Sequence, residues 1–140
     1  MNVGMLFRRA LGAALAGASL TASLAASAHH AFSTEFDATK PITLKGTITQ
    51  VEWINPHSYI SLDAKDDKGN VQHWVFELAG PGALRQAGLS RENRGGLKPG
   101  DMVKIEGLAA KDGSPTGFLN KLYFPDGRVF VLANKDPYAR

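Results

Sequence analysis

The chain has 140 residues, a formal net charge of +3 and no cysteine. These values exclude disulfides, thiolate metal sites and a lipid-modified N-terminal cysteine, and the length suits a single domain with a modest core. If exported, such a chain must be stable through its core rather than through disulfide staples.

Residues 1–28 read as a cleaved secretory signal peptide. Arg8 and Arg9 form a short basic region, the stretch from Ala10 to Leu24 is uncharged and rich in Ala, Leu and Gly, and Ala26-Ser27-Ala28 has the small-x-small form of a cleavage site. The apolar run falls short of the roughly 20 residues of a membrane span, so a periplasmic protein with no membrane attachment after cleavage is expected. The Arg8-Arg9 pair also matches part of a twin-arginine pattern. Without those two arginines the balance is 14 basic against 13 acidic residues, a net of +1. That near-neutral balance gives no basic stripe of the kind nucleic acid binding needs.

Residues 29–40 are predicted to form an N-terminal arm, His29-His30-Ala31-Phe32 and then Phe36-Asp37, without clear periodicity. If the arm is helical, Phe32 and Phe36 form an i, i+4 pair that pins it to the body. Cleavage after Ala28 makes His29 the first residue. Its amine and imidazole then chelate one metal ion, and a further imidazole completes a copper-binding brace. Cleavage after Ala26 instead puts His29 third, which is also a strong copper or nickel chelate. The plain alternative is that His29 and His30 merely begin an arm.

The domain proper is placed at residues 41–134. The first strand is predicted from Ile42 to Ile54. Ile42, Leu44, Gly46 and Ile48 share one phase and Val51 and Trp53 the other, so a bulge is expected between them, with Gly46 permitting sharp coiling. Asn55-Pro56 breaks the strand. Strand two runs from about Ser58 to Ala64, with Ser58, Ile60, Leu62 and Ala64 on one face and His57, Tyr59, Ser61 and Asp63 on the other. The polar stretch from Lys65 to Asn70 is a hairpin loop. Its acids do not match the spacing of a calcium loop. Strand three covers about Val71 to Leu78, with Trp74, Phe76 and Leu78 inward and His73, Val75 and Glu77 outward.

The periodicity then changes. Pro81 to Gly88 predicts a short helix with Leu84 and Ala87 on one face and Gly88 as its stop, and Ser90 is placed to cap a further turn. Leu97 to Asp101 is a tight turn whose Pro99-Gly100 suits type II. Met102 to Gly107 is strand four, Phe118 to Phe124 strand five, and Val129 to Leu132, after the Asp126-Gly127 hairpin, a sixth strand. Residues 135–140 are a polar tail. The order, with its long bulged first strand, predicts a mainly β fold: a small OB-like Greek-key barrel of five to six strands with one short helix between strands three and four. An open antiparallel sheet with one covering helix is the alternative.

The segments Ala28-His29-His30-x-Phe32, Phe36-Asp37, Lys40-Pro41-x-Thr43-Leu44-x-Gly46 and Trp53-x-Asn55-Pro56-His57 are similar to a family of small exported proteobacterial proteins of unknown function. The resemblance continues through Phe76-Glu77-Leu78, Leu97 to Asp101 and Pro125-Asp126-Gly127-Arg128, nearly the whole chain after the leader. It implies export and a compact β-rich domain. It carries no activity and no site residues.

The candidate ligand site is the face around Trp53, Asn55, His57, Tyr59 and Glu77, because the loop between strands one and two borders the binding face of an OB barrel. The candidate metal ligands are His29, His30 and His57, with copper as the possible cofactor. His73 is expected about five ladder positions from His57, or roughly 17 Å, too far to share a metal. Trp74 and Phe76 are read as core. No G-x-S-x-G elbow, phosphate loop or H-E-x-x-H is present, and no catalytic residue is assigned. The leading expectation is a non-enzymatic periplasmic binding module for a small molecule or a protein partner. A copper-binding or copper-delivery protein comes second and a small oxidative copper enzyme third.

Overall fold

The computed structural model of the protein describes residues 33–132, so the leader, His29, His30, Phe32 and the tail 135–140 lie outside the described residues. Six strands are present: β1 (Phe36–Glu52), β2 (His57–Lys65), β3 (Val71–Ala79), β4 (Met102–Ala110), β5 (Thr116–Tyr123) and β6 (Val129–Val131). Helix α1 (Pro81–Gln86) and a 3-10 turn (Glu92–Arg94) lie between β3 and β4.

The strands close on themselves. β1 pairs with both β2 and β4, β2 with β3, and β4 with β5, all antiparallel. The first half of β5 then pairs parallel to β3 through Val75↔Thr116, Phe76↔Gly117 and Glu77↔Phe118, which completes the ring. The second half of β5 carries β6. A five-stranded ring of this order with a helix between β3 and β4 is the OB-like barrel expected from the sequence. The open sheet is excluded by the β3–β5 closure.

The bulge in β1 is where the phase change puts it. Ile48 pairs with Leu62 and Gln50 with Ser61, which leaves Thr49 unpaired and turns Val51 to the same side as Ile48. Gly46 faces Ala64 on one side and Val103 on the other, and a Cβ there would lie 2.5 Å from the Asp63 carbonyl oxygen. Only glycine lets three strands approach so closely. The Lys98–Asp101 turn docks at the same place: Gly100 N donates to Ile48 O at 2.8 Å and Ile48 N to Asp101 O at 2.9 Å. Gly100 has φ 92° and Asp101 N donates to Lys98 O, as a type II turn requires.

Inside the ring, Ile48, Ile60, Leu62, Phe76, Leu78, Val103, Ile105, Leu119 and Leu122 are buried. Leu84 of α1 and Leu89 and Leu97 of the β3–β4 connection join this core. α1 ends as its glycine predicts: Gly88 has φ 97°, Gly88 N donates to Arg85 O and Leu89 N to Leu84 O, a Schellman motif that turns the chain back into the core.

Three expectations need correction. β1 begins at Phe36, not Ile42, so the last part of the expected arm is strand. An irregularity between Phe36 and Pro41 hides it, and Asp37 Oδ1 accepts from Thr39 N and Thr39 Oγ1 as in a turn. Phe36 is therefore extended, not helical, and packs on Phe118 with ring centroids 5.8 Å apart. Leu84 is buried but Ala87 is exposed, because the helix ends at Gln86 and Ala87 is its C-cap. Ser90 caps nothing; Arg91 starts the 3-10 turn without a side-chain cap.

Candidate functional site

Four of the five residues expected to form one face fall into two places. Strand pairing sets the first. His57, Tyr59 and Glu77 all point outward from the β2–β3 ladder, where Tyr59 pairs with Glu77 and His57 with Ala79. Glu77 is thus the diagonal neighbour of His57, and its Oε1 lies 2.7 Å from His57 Nδ1. Both side chains are largely covered, 24% and 13% exposed, so this contact is better shielded than a surface ion pair. Tyr59 is flanked by Glu77 on β3 and Glu52 on β1. Burial pushes its phenol above the ordinary tyrosine pKa, and the charges of Glu77, Glu35 and Glu52 push it further. Glu35 is part of that field because the chain entering β1 crosses the barrel beside this face: Lys111 N donates to Glu35 O at 2.9 Å, and Phe36 covers Phe118, the β5 partner of Glu77.

The second place holds Trp53. The bulge turns it to the inner side of β1, where it packs against the core edge instead of joining His57. A cavity of about 220 Å³ opens beside it, lined by Trp53, Pro81, Gly82, Arg85, Leu89, Ser90, Arg91, Asn93 and Arg94. A more open groove adjoins it, sharing Trp53, Arg91 and Asn93 and continuing past Glu92, Gln50, Val51 and Pro99. The Arg91 guanidinium lies 5.8 Å from the Trp53 ring centroid, over the ring.

Asn55 stands between the two places and belongs to neither. It precedes Pro56 through a cis peptide bond, and the pair abuts Gly80. A Cβ on Gly80 would lie 2.6 Å from Pro56 O and 3.1 Å from Asn55 Oδ1, so the β1–β2 loop and the start of α1 fit only with glycine.

The remaining histidine behaves as expected. His73 pairs with Asp63 across the ladder, its Nδ1 2.8 Å from Asp63 Oδ1, six positions from His57 along β2 and so roughly 20 Å away. Asp66 uses its carboxylate on Lys68 N, Asn70 N and Asn70 Nδ2, which makes it the anchor of a hairpin loop rather than a calcium ligand. Trp74 stacks on Phe76 at 6.0 Å in the core phase. Among the described residues, no three His, Asp or Glu side chains are placed to hold a metal together, and no helix is long and apolar enough to cross a membrane.

The arginines were missed from sequence. Arg85, Arg91 and Arg94 sit with only Glu92 as a nearby acid in the stretch from Pro81 to Gly96, a local excess inside an otherwise balanced chain. That signal was available, but only the fold brings the three to one cavity with Trp53.

No curated protein matches the chain. A match does exist at the level of families, over residues 18–120, which takes in β1 to β4 and the start of β5. The protein belongs to the family of unknown function DUF6152.

Proposed function

We propose that the protein is an exported, non-enzymatic binding module that works in the periplasm after loss of residues 1–28. Its ligand is a small molecule that occupies the barrel end beside Trp53. One observation carries this reading: the closed barrel presents a concave cavity where β1 runs into the β1–β2 loop, walled by an indole and by the β3–β4 connection. OB barrels bind ligands along strands two and three and the adjoining loops, and concave sites with an aromatic wall are the usual places for small molecules. The test is native mass spectrometry of the mature protein purified from periplasm, followed by tryptophan fluorescence in a Trp74→Phe background. A co-purifying small molecule that quenches Trp53 and is lost in Trp53→Ala supports the reading. Retention of that molecule in Trp53→Ala moves the site elsewhere.

A second reading, copper binding through His29, His30 and His57, draws on the His57–Glu77 contact. A ligating histidine is commonly oriented by a carboxylate on its other ring nitrogen, and Glu77 holds Nδ1 in that way. Ser33 to Phe36 also lead across the same side of the barrel, and the four residues from His29 to Ser33 span at most roughly 14 Å. Stoichiometric copper in the periplasmic protein, lost in His57→Ala, is the expected result. A mature N-terminus lacking both His29 and His30, read from the intact mass, defeats it.

A further inference from the structure

We propose that the cavity beside Trp53 takes a small organic oxyanion with two negative charges, a dicarboxylate or a phosphate monoester. This rests on the reading of that cavity as the ligand site, and deepens it.

The argument begins with charge. The described residues contain four arginines, and three of them, Arg85, Arg91 and Arg94, line this one cavity. No aspartate or glutamate lines it. Among the described residues no carboxylate lies within ion-pair distance of any of the three. Elsewhere several cations are ion-paired: Arg128, the fourth arginine, with Asp126 at 2.7 Å, Lys104 and Lys121 with Glu106, Lys40 with Asp37. Three arginines on one cavity without an ion-paired carboxylate thus contrast with Arg128, which has one. Guanidinium is the side chain best suited to carboxylate and phosphate, because its planar fork donates two parallel hydrogen bonds.

Size and lining narrow the class. A cavity of about 220 Å³ holds about seven waters' worth of volume, and exceeds the ~150 Å³ that accommodates benzene. A ligand of six to about ten heavy atoms fits that space. Trp53, Pro81 and Leu89 offer carbon surface to a ligand skeleton, whereas Ser90 and Asn93 offer hydrogen bonds. A bare inorganic ion would leave that carbon surface unused. Arg91 is held over the indole, which fixes its position before a ligand arrives. A nucleic acid needs a track of cations at phosphate spacing, and this cluster is confined to one cavity.

The test is calorimetric titration of the mature periplasmic protein with malate, succinate, glycerol phosphate and inorganic phosphate at constant ionic strength. The expected result is saturable one-to-one binding of an organic polyanion about tenfold or more tighter than inorganic phosphate. Arg85→Gln and Arg94→Gln each weaken it about tenfold, the loss of one charge-assisted contact, and Lys45→Gln, at an exposed cation on β1, leaves it unchanged. All three arginines are exposed, and melting curves confirm that the variants remain folded. Absence of binding by every probe overturns the proposal, as does equal weakening by Lys45→Gln, which reports only a general field. An uncharged co-purifying molecule lost in Trp53→Ala sinks the anion inference and leaves the binding site standing. Retention of that molecule in Trp53→Ala sinks both.

Discussion

The outward face of β2–β3 and the cavity beside Trp53 lie close together in the fold but are built differently. On the outward face, His57, Tyr59 and Glu77 are placed by ladder register, and each side chain already has a neighbour: Glu77 for His57, Glu52 and Glu77 for Tyr59. The local charge is acidic. Around Trp53 the walls come from a loop, a six-residue helix and a 3-10 turn, and the local charge is basic. Strand pairing therefore produces a patch fixed by register, and the irregular connection produces an open site whose arginines have no ion-paired carboxylate among the described residues. Binding residues favour loops carried on a rigid scaffold, and the cavity has that character more than the patch does.

The strongest way to break this contrast is to loosen the connection alone. Leu84 is the single buried residue of α1. Leu84→Ala should cost about 3 kcal/mol, as a fully buried leucine truncated to alanine does. The melting temperature should fall by roughly 15 °C for a domain of this size. Below that temperature the His57 ring resonances should stay as in the parent while those of Trp53 shift. Equal disturbance of both would mean that patch and cavity form one cooperative unit.

A second substitution acts on the patch. Glu77→Gln removes the charge from the His57 contact and should cost about 1–2 kcal/mol, the value of a charge-assisted hydrogen bond. It should also lower the pKa of Tyr59, which is held above its ordinary value first by burial and then by Glu77. The sign follows from linkage. Tyr59 in the folded state keeps its proton to higher pH than in the unfolded chain, so stability is intact below the ordinary tyrosine pKa and falls as pH rises past it. With Glu77 neutral, that alkaline loss should shrink. An ultraviolet titration, with Tyr59→Phe to assign the signal, measures the change. Binding at the Trp53 cavity should be untouched; a parallel loss there would join the two regions functionally.

The same division governs what could be read from sequence. The bulge at Thr49, the turn at Pro99-Gly100, the inward phases of β2 and β3 and the separation of His57 from His73 all follow from period-two patterning and local turn chemistry. Those features act over a few residues, and the barrel order follows from their succession. Three things were hidden because they depend on distant neighbours. Phe36 enters a strand only because β4 pairs with it at Ala110 and Phe118 receives its ring. Trp53 was grouped with His57 because loop adjacency was given more weight than the phase reversal that separates them. The arginine cavity arises from the path of the β3–β4 connection, which no periodicity encodes.

The smallest effect expected is the one that links both regions. Ser58 lies between His57 and Tyr59 on β2 but faces inward, 1% exposed, and its Oγ has no hydrogen-bond partner among the described residues. Its neighbours in the strand serve the patch, and its own side chain is oriented toward the core. A buried hydroxyl with no partner carries an uncompensated desolvation cost. Ser58→Ala removes it with almost no change in volume and should stabilise the fold by up to about 1 kcal/mol. Denaturant unfolding with an unchanged m-value measures this. Neither the His57–Glu77 contact nor the Trp53 fluorescence should change, because the backbone that positions both is retained. A loss of stability would instead reveal a bound water or a ligand atom satisfying Ser58 from inside. The barrel end would then reach deeper than the cavity beside Trp53, and patch and cavity would share a polar floor.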